Sequence, residues 1–194
     1  GAALITWCVM LISQAWLIRQ KKFEVHRLVG KFSYVLVPLL LYTTLDLLHF
    51  RLPLYKLGVV DYYFVALVVN ALVAFVTFYG LAIIYRKQPL IHARFMVCTA
   101  FPMFTPITDR IIFIYFPSWV PYLPTIEGQP VAPVVGFAIP DVLLLILCIW
   151  DWRSHRKLFV FPFSLAVMLL YHYSVLYFYK FGFWATFCEW FAAL

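Results

Sequence analysis

Asp46, His49, Asp109, Arg110, Asp141 and His172 stand inside long runs of Leu, Val, Ile, Phe and Ala. Ionisable side chains surrounded by hydrocarbon are costly unless paired or wet, and they mark pathways and sites for protons, ions or ligands. Three chemistries fit the residue types. Imidazoles on separate helices can hold haem iron, so His49 and His172 form one axial pair, and His92 with His26 or His155 a second, inner pair for b-type haem. Asp46, His49, Asp109 and His172 make an oxygen and nitrogen set suited to zinc or iron. The carboxylates with His172 can equally pass protons in coupled transport of a small ligand.

Depth sharpens this reading. With a rise of about 1.5 Å per residue, counted from helix starts near residues 31, 95 and 158, Asp46, Asp109, Arg110 and His172 all lie about 21–23 Å up. The hydrocarbon is about 30 Å thick, so the four share a layer in its outer third. His49 follows one turn above Asp46 on the same helix face. Thr43, Thr44 and Asn70 add polar atoms near that level, and Asp141 falls closer to the midplane. The layer is expected to be a polar pocket of Asp46, Asp109, Arg110, Asp141 and Asn70. The plainer expectation is an ion pair of Arg110 with Asp46 or Asp109 that only fixes helix packing.

The elements that must position these groups are membrane-spanning helices. Hydrophobic residues make up 65% of the 194 and charged residues 12%, with a mean hydropathy of +0.93. Soluble domains are about half apolar and about a quarter charged. The runs are apolar all round rather than alternating, which selects helices over a barrel. Six spans are expected, at residues 2–18, 32–50, 62–85, 95–116, 131–150 and 158–179. They form an all-α, six-span transmembrane bundle of three helical hairpins within a single domain, 1–194. Pro38, Pro102, Pro106, Pro140 and Pro162 fall inside spans, where each removes a backbone donor. After the sixth span, Phe183, Trp184, Phe187, Trp190 and Phe191 recur at three- and four-residue steps. A short interfacial helix at 183–193 is expected there, or else a bent continuation of the sixth span.

Charge orients the bundle. Arg19, Lys21, Lys22, Arg27, Lys31, Arg86, Lys87, Arg94, Arg153, Arg156 and Lys157 all fall in alternate connectors, against Arg51, Lys56 and Lys180 in the others. By the positive-inside rule, loops 19–31, 86–94 and 151–157 are cytoplasmic and both ends of the segment face outward. The net charge of +7 therefore reads as contact with anionic lipid head groups, not nucleic acid. A bacterial inner membrane is the expected location. Cys8, Cys98, Cys148 and Cys188 are widely spaced and read as packing residues. Gly1 is not an initiator residue, in keeping with a processed or trimmed start.

His26, His92 and His155 each precede an even-numbered span with a cation within two residues: HRLVGKFSYVLVPLL, HARFMVCTAFPMF and HRKLFVFPFSLAVML. The HxxxG at His26–Gly30 leaves a small residue where a macrocycle can approach. In HRLVGK at 26–31, and in HARFM at 92–96 with Arg110 later in the same helix, the chain resembles a bacterial family of predicted multi-pass membrane proteins, a domain of unknown function. Lys31 and Phe95 stand where that family more usually has Arg and Trp. The resemblance spans roughly residues 24–116 and implies a multi-pass bundle without an established activity. Phosphate loops and nucleophile elbows are missing. Asp151 and Trp152 beside Arg153 read as an interfacial cap. The leading functional expectation is electron transfer through b-type haem. Alternatives are a non-catalytic accessory subunit packed against other membrane subunits, a proton-coupled or small-ligand transporter, and an intramembrane metal-site enzyme.

Overall fold

A computed structural model describes residues 1–52, 57–126, 128–131, 133–154 and 159–194. The protein is all-α. Among the described residues six helical stretches are long and apolar enough to cross a membrane: Ala2–Arg19, Phe23–Arg51, Val59–Ile84, Pro89–Tyr115, Pro133–Arg153 and Val160–Lys180. All six expected spans are present, and the protein is an integral membrane protein. The chain divides into two compact units, Gly1–Pro53 and Leu54–Leu194.

The first unit is a hairpin of α1 (Ala2–Arg19) with α2 (Phe23–Lys31) and α3 (Ser33–Arg51). α1 buries Trp7, Met10, Gln14 and Leu17, a seam stepping by three and four residues as one helix face requires. α3 answers with Ser33, Leu36, Val37, Leu40 and Leu48. The turn between α1 and α2 is made possible by Lys21 at φ 58. HRLVGK lies inside α2, so the second span begins earlier than residue 32. The helix is interrupted at Phe32, where Ser33 Oγ donates to the Gly30 carbonyl at 2.6 Å.

The second unit holds α4 (Val59–Ile84), α5 (Pro89–Cys98), α6 (Phe104–Tyr115), α7 (Pro133–Arg153), α8 (Val160–Tyr177) and α9 (Gly182–Ala192). α5 and α6 make one crossing, broken by a 3-10 turn at Phe101–Met103, where Pro102 withholds a backbone donor. α4 pairs with α5, and α7 with α8. α4 turns Ala66, Ala71, Ala74 and Ala82 inward; small side chains let helices approach closely where lipid supplies no hydrophobic drive. Phe78, Phe95, Cys98, Leu144, Val160, Met168 and Val175 fill the centre with no exposed surface. Between α6 and α7 a 3-10 turn, Pro117–Tyr122, leads to a two-residue strand pair, Thr125–Ile126 against Gln129–Pro130.

α9 is a separate helix, not a bent end of α8. Phe181 is extended (φ −102, ψ 128) and breaks the run. Trp184 then donates its indole N–H to the Tyr62 carbonyl at 2.9 Å, and Tyr62 Oη donates to Glu189 at 3.1 Å, fastening α9 to the start of α4. Trp184 and Cys188 are buried there while Phe183 and Trp190 stay exposed.

Among the glycines, Gly136 of α7 has the closest neighbours. A Cβ there would overlap Thr108 Oγ1 and stand 3.0 Å from Thr105 Cα, so α6 and α7 touch only because the position is glycine. Gly80 of α4 has open space at the same point. Gly136→Ala should therefore destabilise the detergent-solubilised protein by about 1–3 kcal/mol, the range for overpacking. Gly80→Ala should be neutral or stabilising by up to about 1 kcal/mol. Reversible unfolding in a denaturing detergent reads both.

Candidate proton and ligand site

Two polar groupings stand out in the second unit, and they differ in how far they are satisfied. The first is closed. Arg94 of α5, 8% exposed, forms a two-pronged ion pair with Asp151 at the end of α7, 3% exposed. Nη1 meets Oδ2, and Nη2 donates to Oδ1 at 2.6 Å. The guanidinium also lies 5.0 Å from the Phe161 ring centre. Fork-on-fork geometry satisfies both partners at once, which is what burial of charge demands. Two residues earlier, His92 Nδ1 donates to the Ala82 carbonyl at 2.7 Å, capping one of the orphan carbonyls at the end of α4. Arg94 was expected among the head-group cations, and Asp151 as an interfacial cap. Both are corrected: the two helix ends bury them against each other, because a lone charge in that position would go uncompensated.

The second grouping is open. His172 of α8 is 6% exposed and meets Asp141 of α7, Nδ1 to Oδ2, at 3.0 Å. An ionised carboxylate only accepts, so Nδ1 is the donor, and Nε2 is an acceptor in the neutral ring and a donor in the charged one. Nε2 is buried with no hydrogen-bond partner, and so is Asp141 Oδ1. Phe137 stacks on the imidazole, ring centres 4.1 Å apart and planes 20° apart, and fixes its orientation. Phe137 also meets Tyr171 edge-on at 5.8 Å. Asp109 of α6 lies within electrostatic reach of the Tyr63 and Tyr171 hydroxyls. Its Oδ1 and Tyr63 Oη are likewise buried without a hydrogen-bond partner. The grouping thus runs Asp141–His172–Phe137–Tyr171–Asp109–Tyr63, drawn from α4, α6, α7 and α8.

Asp141 was expected nearer the midplane than His172, and the helix ends explain the difference. α7 runs on to Arg153 and α8 starts at Val160, so Asp141 and His172 each stand twelve residues, about 18 Å, from the same end of the hairpin. Boundary shifts of two or three residues had separated them.

The other expected residues divide as follows. Asn70 does not join the open grouping: its Nδ2 donates to Ser174 Oγ at 2.8 Å, and Ser174 donates to the Tyr171 carbonyl at 2.6 Å, a lock between α4 and α8. Arg110 is exposed, and among the described residues it forms no ion pair, with Asp109 or any other carboxylate. Asp46 and His49 are exposed positions of α3 in the first unit, and His26 is half-buried on α2. His155 lies outside the described residues. Among the described residues no three His, Cys, Asp or Glu side chains gather tightly enough to hold one metal ion. All four cysteines are free thiols. Tyr63, Phe137 and Tyr171 are contributors that sequence reasoning passed over, and it named Arg94 and Asp151 without pairing them. Arg94 lies inside HARFM, and Asp151 is an acid among cations at a helix end, so a signal for that pair was present.

No family model matches the chain, and no curated protein or solved structure matches it either.

The closed pair yields a direct test. Arg94→Ala leaves a buried carboxylate uncompensated and should cost about 3–5 kcal/mol, whereas Arg94→Ala with Asp151→Ala should recover a large part of that. Arg94→Lys should rescue only partly, since a point charge cannot make two parallel bonds. Unfolding free energies across this set check the pairing.

Proposed function

We propose that the protein is a proton-coupled membrane carrier in which the Asp141–His172 dyad takes up and releases the proton. One observation supports this above the others. A buried imidazole has its Nδ1 fixed by a carboxylate, its face fixed by Phe137, and its Nε2 left without a hydrogen-bond partner. Leaving a buried acceptor unpaired costs about 1–3 kcal/mol, and a helix-packing contact gains nothing from that expense. A site that binds a proton or a donor at Nε2 recovers it. Imidazole is also the side chain that exchanges protons most readily near neutral pH.

The same geometry supports a second reading. An imidazole whose Nδ1–H is held by a carboxylate presents Nε2 as metal-ligating histidines do. A haem iron with His172 as an axial ligand therefore remains the competing proposal, and an optical spectrum of the purified protein separates the two. A Soret band lost in His172→Ala would favour iron.

The proton reading is tested by nitrogen NMR of histidine-labelled protein in micelles. In the neutral ring His172 should show the Nδ1-protonated tautomer held by Asp141, and Asp141→Asn should loosen that preference. An Nε2-protonated neutral ring in the unaltered protein would reject the dyad, and the carrier with it.

A further inference from the structure

Two charged side chains of the spans lie outside both polar groupings. Asp46 of α3 and Arg110 of α6 are exposed, and neither belongs to an ion pair among the described residues. Each stands five residues short of its helix's last residue, Arg51 in α3 and Tyr115 in α6, or about 7.5 Å by the helical rise. By the charge bias of the connectors both helices run toward the outward side, so both charges stand equally far below that surface. Lipid can cover the apolar neighbours of Asp46 but not its carboxylate. An arginine has a long stem that carries its head toward the phosphates; an aspartate has one methylene and no such reach. An ionised group held at that depth is costly unless a counter-charge meets it.

The surroundings of both charges have the form of a helix-packing seam. On α3, Val35, Leu39, Tyr42, Asp46 and His49 are all exposed and recur at steps of four and three, the spacing of a left-handed coiled-coil seam. On α6, Ile107, Arg110 and Ile114 repeat that spacing and are also exposed. Two α3 helices side by side would set Asp46 against Asp46, and two α6 helices Arg110 against Arg110. Like charges across a contact repel, so the match that cancels charge is α3 on α6. Side chains exposed in their own chain are open to another molecule. We propose that α3 of one copy of the chain packs in parallel along α6 of a second copy, with the Asp46 carboxylate accepting from the Arg110 guanidinium across the seam. Arginine suits this task because its planar fork can hold a carboxylate with two parallel bonds. The contact goes beyond the proton reading and does not depend on it, since neither residue belongs to the dyad.

The test is self-association of the full chain in micelles free of phospholipid, read by sedimentation equilibrium over a range of chain concentrations. The unaltered chain should associate, since the pair needs no lipid phosphate. Asp46→Lys and Arg110→Asp should each weaken association about tenfold or more, because each sets like charges across the seam. Mixed in equal amounts, the two variants should associate again, because each supplies the charge that the other lacks. Asp46→Asn removes the charge without reversing it and should weaken association in the same direction. That milder variant carries the test if a reversed charge prevents folding, and the result for the unaltered chain depends on no variant. A monomeric unaltered chain overturns the proposal, as does undiminished association of Asp46→Asn. A mixture of the two reversed variants that stays apart overturns it too. If the double variant, Asp46→Lys with Arg110→Asp, then unfolds like the unaltered chain, the pair lies within one chain.

Discussion

In hydrocarbon, helices are not driven together by escape from water, because lipid tails are as apolar as the side chains they would meet. Adhesion in the second unit therefore falls on close backbone approach and on polar bonds between helices. α8 carries three of these. Tyr171 Oη donates to the Leu67 carbonyl at 3.2 Å, Ser174 accepts from Asn70, and His172 meets Asp141, so about one helical turn ties α8 to both α4 and α7. Gly136 supplies the remaining closeness by admitting α6 to α7. The apolar centre, from Phe78 to Val175, fills the space these contacts define.

The two polar groupings answer the same energetic problem in opposite ways. At Arg94 and Asp151 every charge has its counter-charge and its hydrogen bonds, and Phe161 covers the guanidinium. Such an arrangement resists change, since removing either member exposes the other. At Asp141, His172, Asp109 and Tyr63 several strong acceptors are enclosed and unmatched. A grouping of that kind is poorly stabilised by itself and gains from a bound proton or donor. The contrast separates a pairing that is complete in itself from a grouping that is not.

Much of the architecture was legible because apolar run length and proline position act locally. The six spans, the break at Pro102 and the separate helix after Gly182 all follow from such short-range signals. The site was harder to read, since contacts between helices depend on register. Asp141 and His172 were placed apart by helix ends misjudged by two or three residues, which is within the ordinary uncertainty of termini. Arg94 reads as a head-group cation because it falls in an expected connector; its partner Asp151 is 57 residues away. The expected pairing of Arg110 with Asp46 or Asp109 rested on a common depth, yet depth does not fix direction: Asp109 and Arg110, consecutive on a helix, point about 100° apart. Here one is drawn inward and the other is exposed.

Pro140, inside α7, has a consequence for how the dyad can respond. Having no amide hydrogen, it cannot complete the rung to the carbonyl four residues earlier, which belongs to Gly136. The missing rung lies between Phe137, which stacks on the imidazole, and Asp141, which hydrogen-bonds it. One rung of α7 is thus missing between its two handholds on His172. On the carrier reading proposed above, bending there would alter the ring's stacking and its carboxylate contact separately and give a proton at the imidazole a mechanical outlet along the helix axis.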